Sequence, residues 1–270
     1  MRLAVVGHVE WVQFARVARV PAPGEILHAT ELWEEAAGGG AVSAAELTRL
    51  DGGAAFYTAL GDDELGHAAR RQLERLGVTV HAVHLPEPQR RAFVHVDEGG
   101  ERTITVLGDK LVPKGDVHRL PWHELGLADG ALFVSGDAEA LRAARAAPVL
   151  VATARELATL RDSGVQLDAL VASGTDEGER YHPGDLQPEP HLVVTTAGGL
   201  GGWAQPGGPF RAASVPGAVE DAYGCGDSFA AGLTLALADR RPPDDALAFA
   251  AGCGAAALTR RGAHGREPVG

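Results

Sequence analysis

Residues 221 to 229 read Asp-Ala-Tyr-Gly-Cys-Gly-Asp-Ser-Phe and lead directly into an apolar segment of helical length at residues 230–238. Glycines at the start of a helix let the first backbone N–H groups converge on an anion, and the helix dipole adds partial positive charge there. We therefore predict an anion hole at Gly224, Cys225 and Gly226, where the carboxylate of Asp227 accepts the proton of an attacking hydroxyl. The alternative is structural: Asp227 and Ser228 would cap the helix, and the glycines would form a tight turn.

Three other segments also contain glycines that would let a ligand approach the backbone closely. Residues 37–45 contain Gly38 and Gly39 before a helical segment, and residues 60–66 read Leu-Gly-Asp-Asp-Glu-Leu-Gly. Residues 195–203 follow a buried apolar run, and ligands of α/β proteins bind where strands end. Each segment alone is typical of a turn, so its significance depends on the others.

Apolar runs of strand length alternate along the chain with segments of helical period. The runs lie at residues 3–6, 54–60, 131–134, 149–152, 169–171 and 192–194, and the helical segments at residues 42–50, 64–76, 138–146 and 229–238. This alternation predicts an α/β fold with a mainly parallel sheet between helices. Residues 25–33 and 91–107 instead alternate apolar and polar side chains, which predicts a small antiparallel sheet, either a lid over a cleft or a surface hairpin.

Composition excludes several classes of protein. The 270 residues carry a formal net charge of -12, which disfavours nucleic acid as a partner. No apolar run approaches the roughly 20 residues that cross a bilayer. Cys225 and Cys253 offer no disulfide framework, and the first residues lack the long apolar core of a signal peptide. We therefore predict a cytoplasmic protein that binds neither nucleic acid nor membrane.

Taken together and in this order, the glycine segments resemble those of the PfkB or ribokinase-like family of carbohydrate kinases. One family signature is matched by Asp221, Gly224, Gly226, Asp227 and Phe229, with Cys225 in place of an alanine. The other is matched by Gly38, Gly39 and Ala45, with Ser43 where asparagine is usual. The resemblance implies a three-layer α/β/α sandwich formed by one domain, residues 1–270, with a β lid from about residues 10–33 and 88–107.

By the same resemblance, the chain would transfer the γ-phosphoryl group of ATP to a hydroxyl of a sugar or sugar-like molecule, with a nucleoside or polyol as further possibilities. Asp227 would be the base, and the amides of Gly224, Cys225 and Gly226 the anion hole. The nucleotide would contact Thr196, Gly198, Gly199, Gly201 and Ala251. Mg²⁺ would assist, K⁺ would lie near Asp221 and the carbonyls of residues 257, 260 and 262, and two chains would dimerise through their lids.

The substrate side departs from the family pattern. Val12 stands where relatives carry an aspartate that holds sugar hydroxyls, which makes Glu10 the substitute, beside Gly38, Gly39 and Ser43. Asp176 falls where a magnesium-associated glutamate is expected. Asp137 either reaches a substrate hydroxyl or caps a helix. Arg90 either reaches a substrate anion or lies at a solvated strand end.

These departures keep a second hypothesis open, a non-catalytic ligand-binding or regulatory protein on the same fold. A dinucleotide-dependent oxidoreductase is disfavoured because no Gly-x-Gly-x-x-Gly follows the first strand. A P-loop enzyme is disfavoured because its motif is absent. His81, His84 and Glu87 give no convergent set of metal ligands, since they lie on a strand and a proline-containing loop.

Overall fold

The computed structural model describes residues 1–116 and 119–265 and forms two sheets with six α-helices in these ranges. The strands are β1 (Leu3–Val6), β2 (Glu10–Arg16), β3 (Glu31–Ala37), β4 (Ala55–Gly61), β5 (Thr79–Leu85), β6 (Arg91–Val96), β7 (Arg102–Leu107), β8 (Gly130–Phe133), β9 (Val149–Thr153), β10 (Ala169–Ser173), β11 (Leu192–Thr196), β12 (Gly202–Gln205) and β13 (Gly208–Phe210). The helices are α1 (Gly39–Asp51), α2 (Glu64–Arg75), α3 (Ala138–Ala144), α4 (Leu157–Ser163), α5 (Cys225–Ala238) and α6 (Pro243–Ala257).

The large sheet has the strand order β13-β12-β11-β10-β9-β8-β1-β4-β5. Its strands are parallel from β11 to β5, and β12 and β13 extend it in the antiparallel sense. Alternate residues of β1 enter two separate cores: Leu3 and Val5 pack with α1, α2, α5 and α6, whereas Ala4 and Val6 pack with α3 and α4. Helices therefore cover both faces, which confirms the α/β/α fold predicted from the alternating pattern.

The small sheet, defined by the strand order β3-β2-β6-β7, lies beside the large one. The predicted antiparallel pairing holds for β2–β3 and β6–β7, whereas β2 and β6, which join the two halves of the sheet, pair in the parallel sense. Asp97 closes the β6–β7 turn, because its Oδ1 accepts the N–H groups of Gly99 and Glu101. The segment at 25–33 differs from the prediction, because the strand is Glu31–Ala37. Strand β2 pairs only as far as Arg16 with Glu31, and Glu25 instead binds Arg19 within the connecting loop.

The described ranges contain no helix that is both long enough and apolar enough to span a membrane.

Candidate active site

A cleft of about 1140 Å³ opens between the carboxyl ends of strands β8–β11 and the small sheet. Its floor includes Thr153, Ser173 and Thr196, the last residues of three parallel strands. Arg102 and Ile104 of β7 line the opposite wall. Parallel α/β sheets bind ligands at this edge because the strands end there and the following loops are free to contact a ligand.

Helix α5 begins in the cleft with uncapped amides. Gly224 precedes it in the left-handed conformation (φ 73°), and a Cβ there would lie 2.8 Å from Cγ1 of Val42. No side chain caps the helix, and Ser228 instead accepts a hydrogen bond from Arg260. A Cβ at Gly226 would meet no atom within 4 Å, so this turn borders open space. Asp227 and Ser228 therefore do not cap the helix, although Gly224 does form the tight turn that the structural alternative predicted, and the uncapped amides suit an anion.

The half-buried carboxylate of Asp227 lines the cleft in the first turn of α5. The pKa of Asp227 is raised to about 6, mainly by burial and then by the charge of Glu179, while Arg102 and Arg155 oppose the shift. A Cβ on Gly39 would lie 2.8 Å from Oδ1 of Asp227, so the two glycine segments meet at this carboxylate. A carboxyl group with a pKa near neutrality is suited to accept a proton from a hydroxyl.

Burial also raises the pKa of the Cys225 thiol to about 11, so the thiol stays protonated near neutral pH. What Cys225 offers a ligand is its backbone amide at the start of α5.

All the predicted nucleotide residues line the cleft: Thr196, Gly198, Gly199, Gly201 and Ala251. Gly198 and Gly199 have no atom within 4 Å of a built Cβ, which leaves their backbone open to a ligand. Phe210, Phe229 and Ala255 line the same region. The open glycine backbone fits the phosphates of a nucleotide, and the apolar wall next to it fits a purine ring.

Glu10, Gly38 and Gly39, which the sequence analysis assigns to the substrate, line the cleft. Glu10 is only 8% exposed, and burial raises its pKa, although Arg90 and Lys110 act in the opposite direction. The backbone N–H of Gly38 donates to the hydroxyl oxygen of Tyr223 at 3.1 Å. These contacts join the start of α1 to the segment before α5.

Two residues predicted to contact the substrate, Ser43 and Asp137, do not line the cleft, and neither does Val12, which stands in place of the family's aspartate. Val12 is fully buried in the core of the small sheet. Ser43 is fully buried on α1 and lines no part of the cleft. Asp137 caps α3 by accepting the N–H groups of Ala140 and Gly115, which is the structural alternative for this residue.

The two predicted metal residues have different surroundings. Asp176 lines the cleft, and Nη2 of Arg155 lies 2.6 Å from its carboxylate, which lowers its pKa. Asp221 is fully buried, and burial raises its pKa, while the N–H groups of Tyr223 and Gly262 donate to its two oxygens. Buried Glu35 accepts the N–H of Ala263 on the same loop. The two buried carboxylates of Asp221 and Glu35 fit a cation, whereas Asp176 already has Arg155 as a cationic partner.

The sequence did not reveal that three cationic side chains, each paired with a carboxylate, would converge on the cleft. Arg90 is not at a solvated strand end: its side chain is 15% exposed, and its Nε lies 3.1 Å from Oε1 of Glu10. Lys110 and Arg155 also line the cleft. Burial and the charges of these three residues lower the pKa of His8 to about 3. Their convergence depends on loops far apart in the chain, so no local pattern marks it.

Comparison with known proteins agrees with this geometry. The family model of pfkB family carbohydrate kinases matches residues 1–129 and 134–269. An ATP-dependent ribose-1-phosphate kinase from Halopiger xanaduensis is 30% identical over 305 aligned positions, which cover 97% of this chain and 94% of that protein.

Solved structures of several sugar kinases share the fold. Ribokinase from Thermotoga maritima superimposes with a TM-score of 0.75 at 21% identity, covering 97% of this chain and 94% of that one. Ribokinase from Cryptococcus neoformans in complex with ADP superimposes with a TM-score of 0.71 at 22% identity, and the alignment covers 97% of this chain and 95% of that one. Phosphofructokinase-2 from Escherichia coli in complex with fructose-6-phosphate has a TM-score of 0.73 at 18% identity, and the alignment covers 97% of this chain and 95% of that one. The chain therefore has a ribokinase-like fold, belongs to the pfkB family of carbohydrate kinases and is a phosphotransferase of that family.

Proposed function

We propose that this chain transfers the γ-phosphoryl group of ATP to a hydroxyl of a phosphorylated sugar, with Asp227 as the general base. The observation that carries this proposal is the position of the Asp227 carboxylate, which lines the cleft beside uncapped helix amides and has a pKa raised to about 6 by burial. The name of the Halopiger relative supports both ATP as donor and a sugar phosphate as acceptor.

In the proposed reaction, Asp227 takes the proton from the acceptor hydroxyl as the hydroxyl oxygen attacks the γ-phosphorus in line. The bond from the γ-phosphorus to the bridging oxygen breaks, and ADP leaves with that oxygen. The amides of Gly224, Cys225 and Gly226 stabilise the charge on the transferred group. Arg102 adds positive charge from the small sheet, where its Nη1 donates to the carbonyl of Ala222 at 2.9 Å.

The nucleotide residues are proposed to act through backbone and shape. The loop that contains Gly198, Gly199 and Gly201 would hold the phosphates and ribose. Its conformation requires glycine at residue 201, where φ is +93° and an added Cβ would collide with the backbone. Thr196 ends the strand before this loop. Ala251 on α6 leaves space beside Phe229 for the adenine ring.

Two cations belong to the proposal. Asp176 and Glu179 would hold Mg²⁺ through water, and that ion would supply charge neutralisation for the phosphates. Asp221, Glu35 and the carbonyls of residues 257, 260 and 262 would hold K⁺. Buried carboxylates at Asp221 and Glu35 support this site, because a cation offsets the cost of burying negative charge.

The acceptor is proposed to carry a phosphate because three cationic side chains line one cleft in a chain whose net charge is -12. Each is paired with a carboxylate that a phosphate would replace as partner: Arg90 with Glu10, Lys110 with Glu156 and Arg155 with Asp176. Arg90 and Lys110 lie beside His8, whose pKa they help to lower to about 3. An arginine side chain suits a phosphate because its N–H groups match two phosphate oxygens. Glu10, next to Arg90, is placed to accept hydrogen bonds from sugar hydroxyls.

The small sheet is proposed to be a lid on a single domain spanning residues 1–270, of which 117–118 and 266–270 lie outside the described ranges. Arg102, Ile104 and Val106 of β7 already line the cleft, so movement of this sheet would open or close it. Homodimerisation through the lid is supported by the exposed Leu32 and by the unpaired outer edges of β3 and β7.

ADP release across a panel of acceptors tests this function. The panel comprises ribose, ribose 1-phosphate, ribose 5-phosphate, fructose 6-phosphate, adenosine and glycerol. We expect turnover with a sugar phosphate and at least tenfold lower kcat/KM with its dephosphorylated form, because lost charged hydrogen bonds cost about 1.5–3 kcal/mol. Equal rates with and without the phosphate would contradict the acceptor assignment. Ligand binding without any ADP release would instead favour a regulatory protein.

A further inference from the structure

Asp62, His67 and His84 form a cluster of metal-ligating side chains outside the cleft. One ligand atom from each residue lies within 4.8 Å of the other two. Asp62 follows β4, His67 lies in the first turns of α2, and His84 belongs to β5, which pairs with β4. The three residues therefore come from three consecutive elements that meet at one corner of the large sheet, and none of them lines the cleft.

The orientation of the two histidines suits metal binding. Nδ1 of His84 lies 3.3 Å from the carbonyl oxygen of Gly61, a contact that directs Nε2 away from the backbone. Histidine ligands of metals commonly use one ring nitrogen in this way while the other binds the ion. Nε2 of His67 lies 3.3 Å from Oδ1 of Asp62. Tetrahedral bonds of about 2.0–2.2 Å place neighbouring ligand atoms about 3.3 Å apart, so this pair already has the required separation.

We propose that Asp62, His67 and His84 bind one divalent transition-metal ion of the Zn²⁺ class, with water completing its coordination. Two imidazoles and one carboxylate favour such an ion over Mg²⁺ or Ca²⁺, which prefer sets of oxygen ligands. The side chains of His67 and Asp62 are 45% and 64% exposed, so an ion reaches them from solvent and both can adjust to it.

The cluster differs from the histidine pair visible in the sequence. His81 and His84 are three residues apart on β5 and face opposite sides of the sheet. His81 packs on Tyr57, with ring centroids 4.9 Å apart, and is 4.0 Å from Glu124. The partners of His84 are instead contributed by α2 and by the loop before it. A bound ion would link β4, α2 and β5 and would stabilise the folded chain.

The test uses the full-length protein after dialysis against a chelator, without nucleotide. Zn²⁺ is titrated calorimetrically, and Co²⁺ is titrated by visible absorption, which reports tetrahedral coordination. We expect one site per chain that is lost on replacing a ligand, and a Zn²⁺-dependent rise in Tm. His67→Gln and His84→Gln should each weaken Zn²⁺ binding by more than the roughly 10- to 100-fold that loss of an outer-shell partner costs.

His182→Gln is the matched control, because His182 is an exposed histidine 3.5 Å from Asp185 that resembles the His67–Asp62 pair but belongs to no described three-ligand cluster. The affinity of the His182→Gln variant for Zn²⁺ should equal that of the unaltered chain. Circular dichroism confirms that each variant is folded. Absence of stoichiometric Zn²⁺ binding, or binding that survives both His67→Gln and His84→Gln, would overturn the proposal.

Discussion

Gly39 and Asp227, which are far apart in the sequence, are so close that a Cβ on the glycine would lie 2.8 Å from the carboxylate oxygen Oδ1. The same Cβ would lie 2.9 Å from Cγ1 of Val134. The beginning of α1 therefore has no room for a side chain at residue 39, because the carboxylate of Asp227, the proposed base, and the side chain of Val134 already occupy that space. This relationship explains why a glycine segment early in the chain and a carboxylate near its end contribute to the same site.

Gly39→Ala should lower kcat because the added methyl group displaces the Asp227 carboxylate. A displacement of about 1 Å can cost about 100-fold in rate. The KM for ATP should change little, since Gly39 is assigned to the substrate and not to the nucleotide. Steady-state kinetics measure both parameters. Gly53→Ala is the control, because a Cβ on Gly53 would meet no atom within 4 Å and Gly53 has no positive φ. An unchanged kcat in Gly39→Ala would contradict the packing argument.

The activity should depend on pH through Asp227. Burial raises the pKa of this carboxyl group to about 6. Since the carboxylate is the form that accepts a proton, kcat/KM should fall about tenfold for each pH unit below 6 and should level off above it. A pH profile of kcat/KM measures this pKa. A profile that is flat from pH 5 to pH 8, in a chain that stays folded, would exclude Asp227 as the base.

Arg90→Gln and Lys110→Gln should each raise the KM for the sugar phosphate without a comparable change in the KM for ATP. Loss of a charged hydrogen bond costs about 1.5–3 kcal/mol, or roughly 10-fold to 150-fold in affinity. Arg91→Gln is the matched control, since Arg91 is exposed and lies beside Trp11 and Phe93 on the other face of the small sheet. A similar loss in the control, or no loss in either variant, would remove the evidence for phosphate recognition.

Much of the fold could be predicted because buried parallel strands appear as continuous apolar runs. The exact position of β3 could not be predicted, because the loop before it also alternates apolar and polar side chains. Only the pairing of β3 with β2, in which Arg16 lies opposite Glu31, fixes where the strand begins. The glycine turn before α5, where the anion hole is proposed, was predictable from the local glycines. The approach of Arg90 and Lys110 was not, because it depends on packing between distant loops.

Glu35→Gln should change the pH dependence of stability. Burial raises the pKa of Glu35 to about 7, and the nearby charge of Asp221 adds to the shift. A carboxyl group that binds its proton more tightly in the folded state contributes stability below its unfolded pKa, about 4.5, which is lost as pH rises through 7. The Tm of Glu35→Gln should therefore exceed that of the unaltered chain at pH 8 without K⁺, and the difference should shrink towards pH 5.

Added K⁺ should also reduce this difference at pH 8, because a cation beside Asp221 and Glu35 stabilises the ionised form. Thermal unfolding in matched K⁺ and tetramethylammonium buffers measures both effects. Equal Tm values for the two proteins at pH 8 would contradict the account of the buried carboxylates.

The most direct test is the Asp227→Asn variant, assayed for ADP release with the best sugar phosphate and, separately, for ATP binding by calorimetry. Asparagine keeps the size of the side chain but cannot take the hydroxyl proton. We expect turnover to fall at least about 100-fold, while the affinity for ATP stays within about threefold and the folded structure is retained. Turnover close to that of the unaltered chain would contradict the assignment of Asp227 as the base.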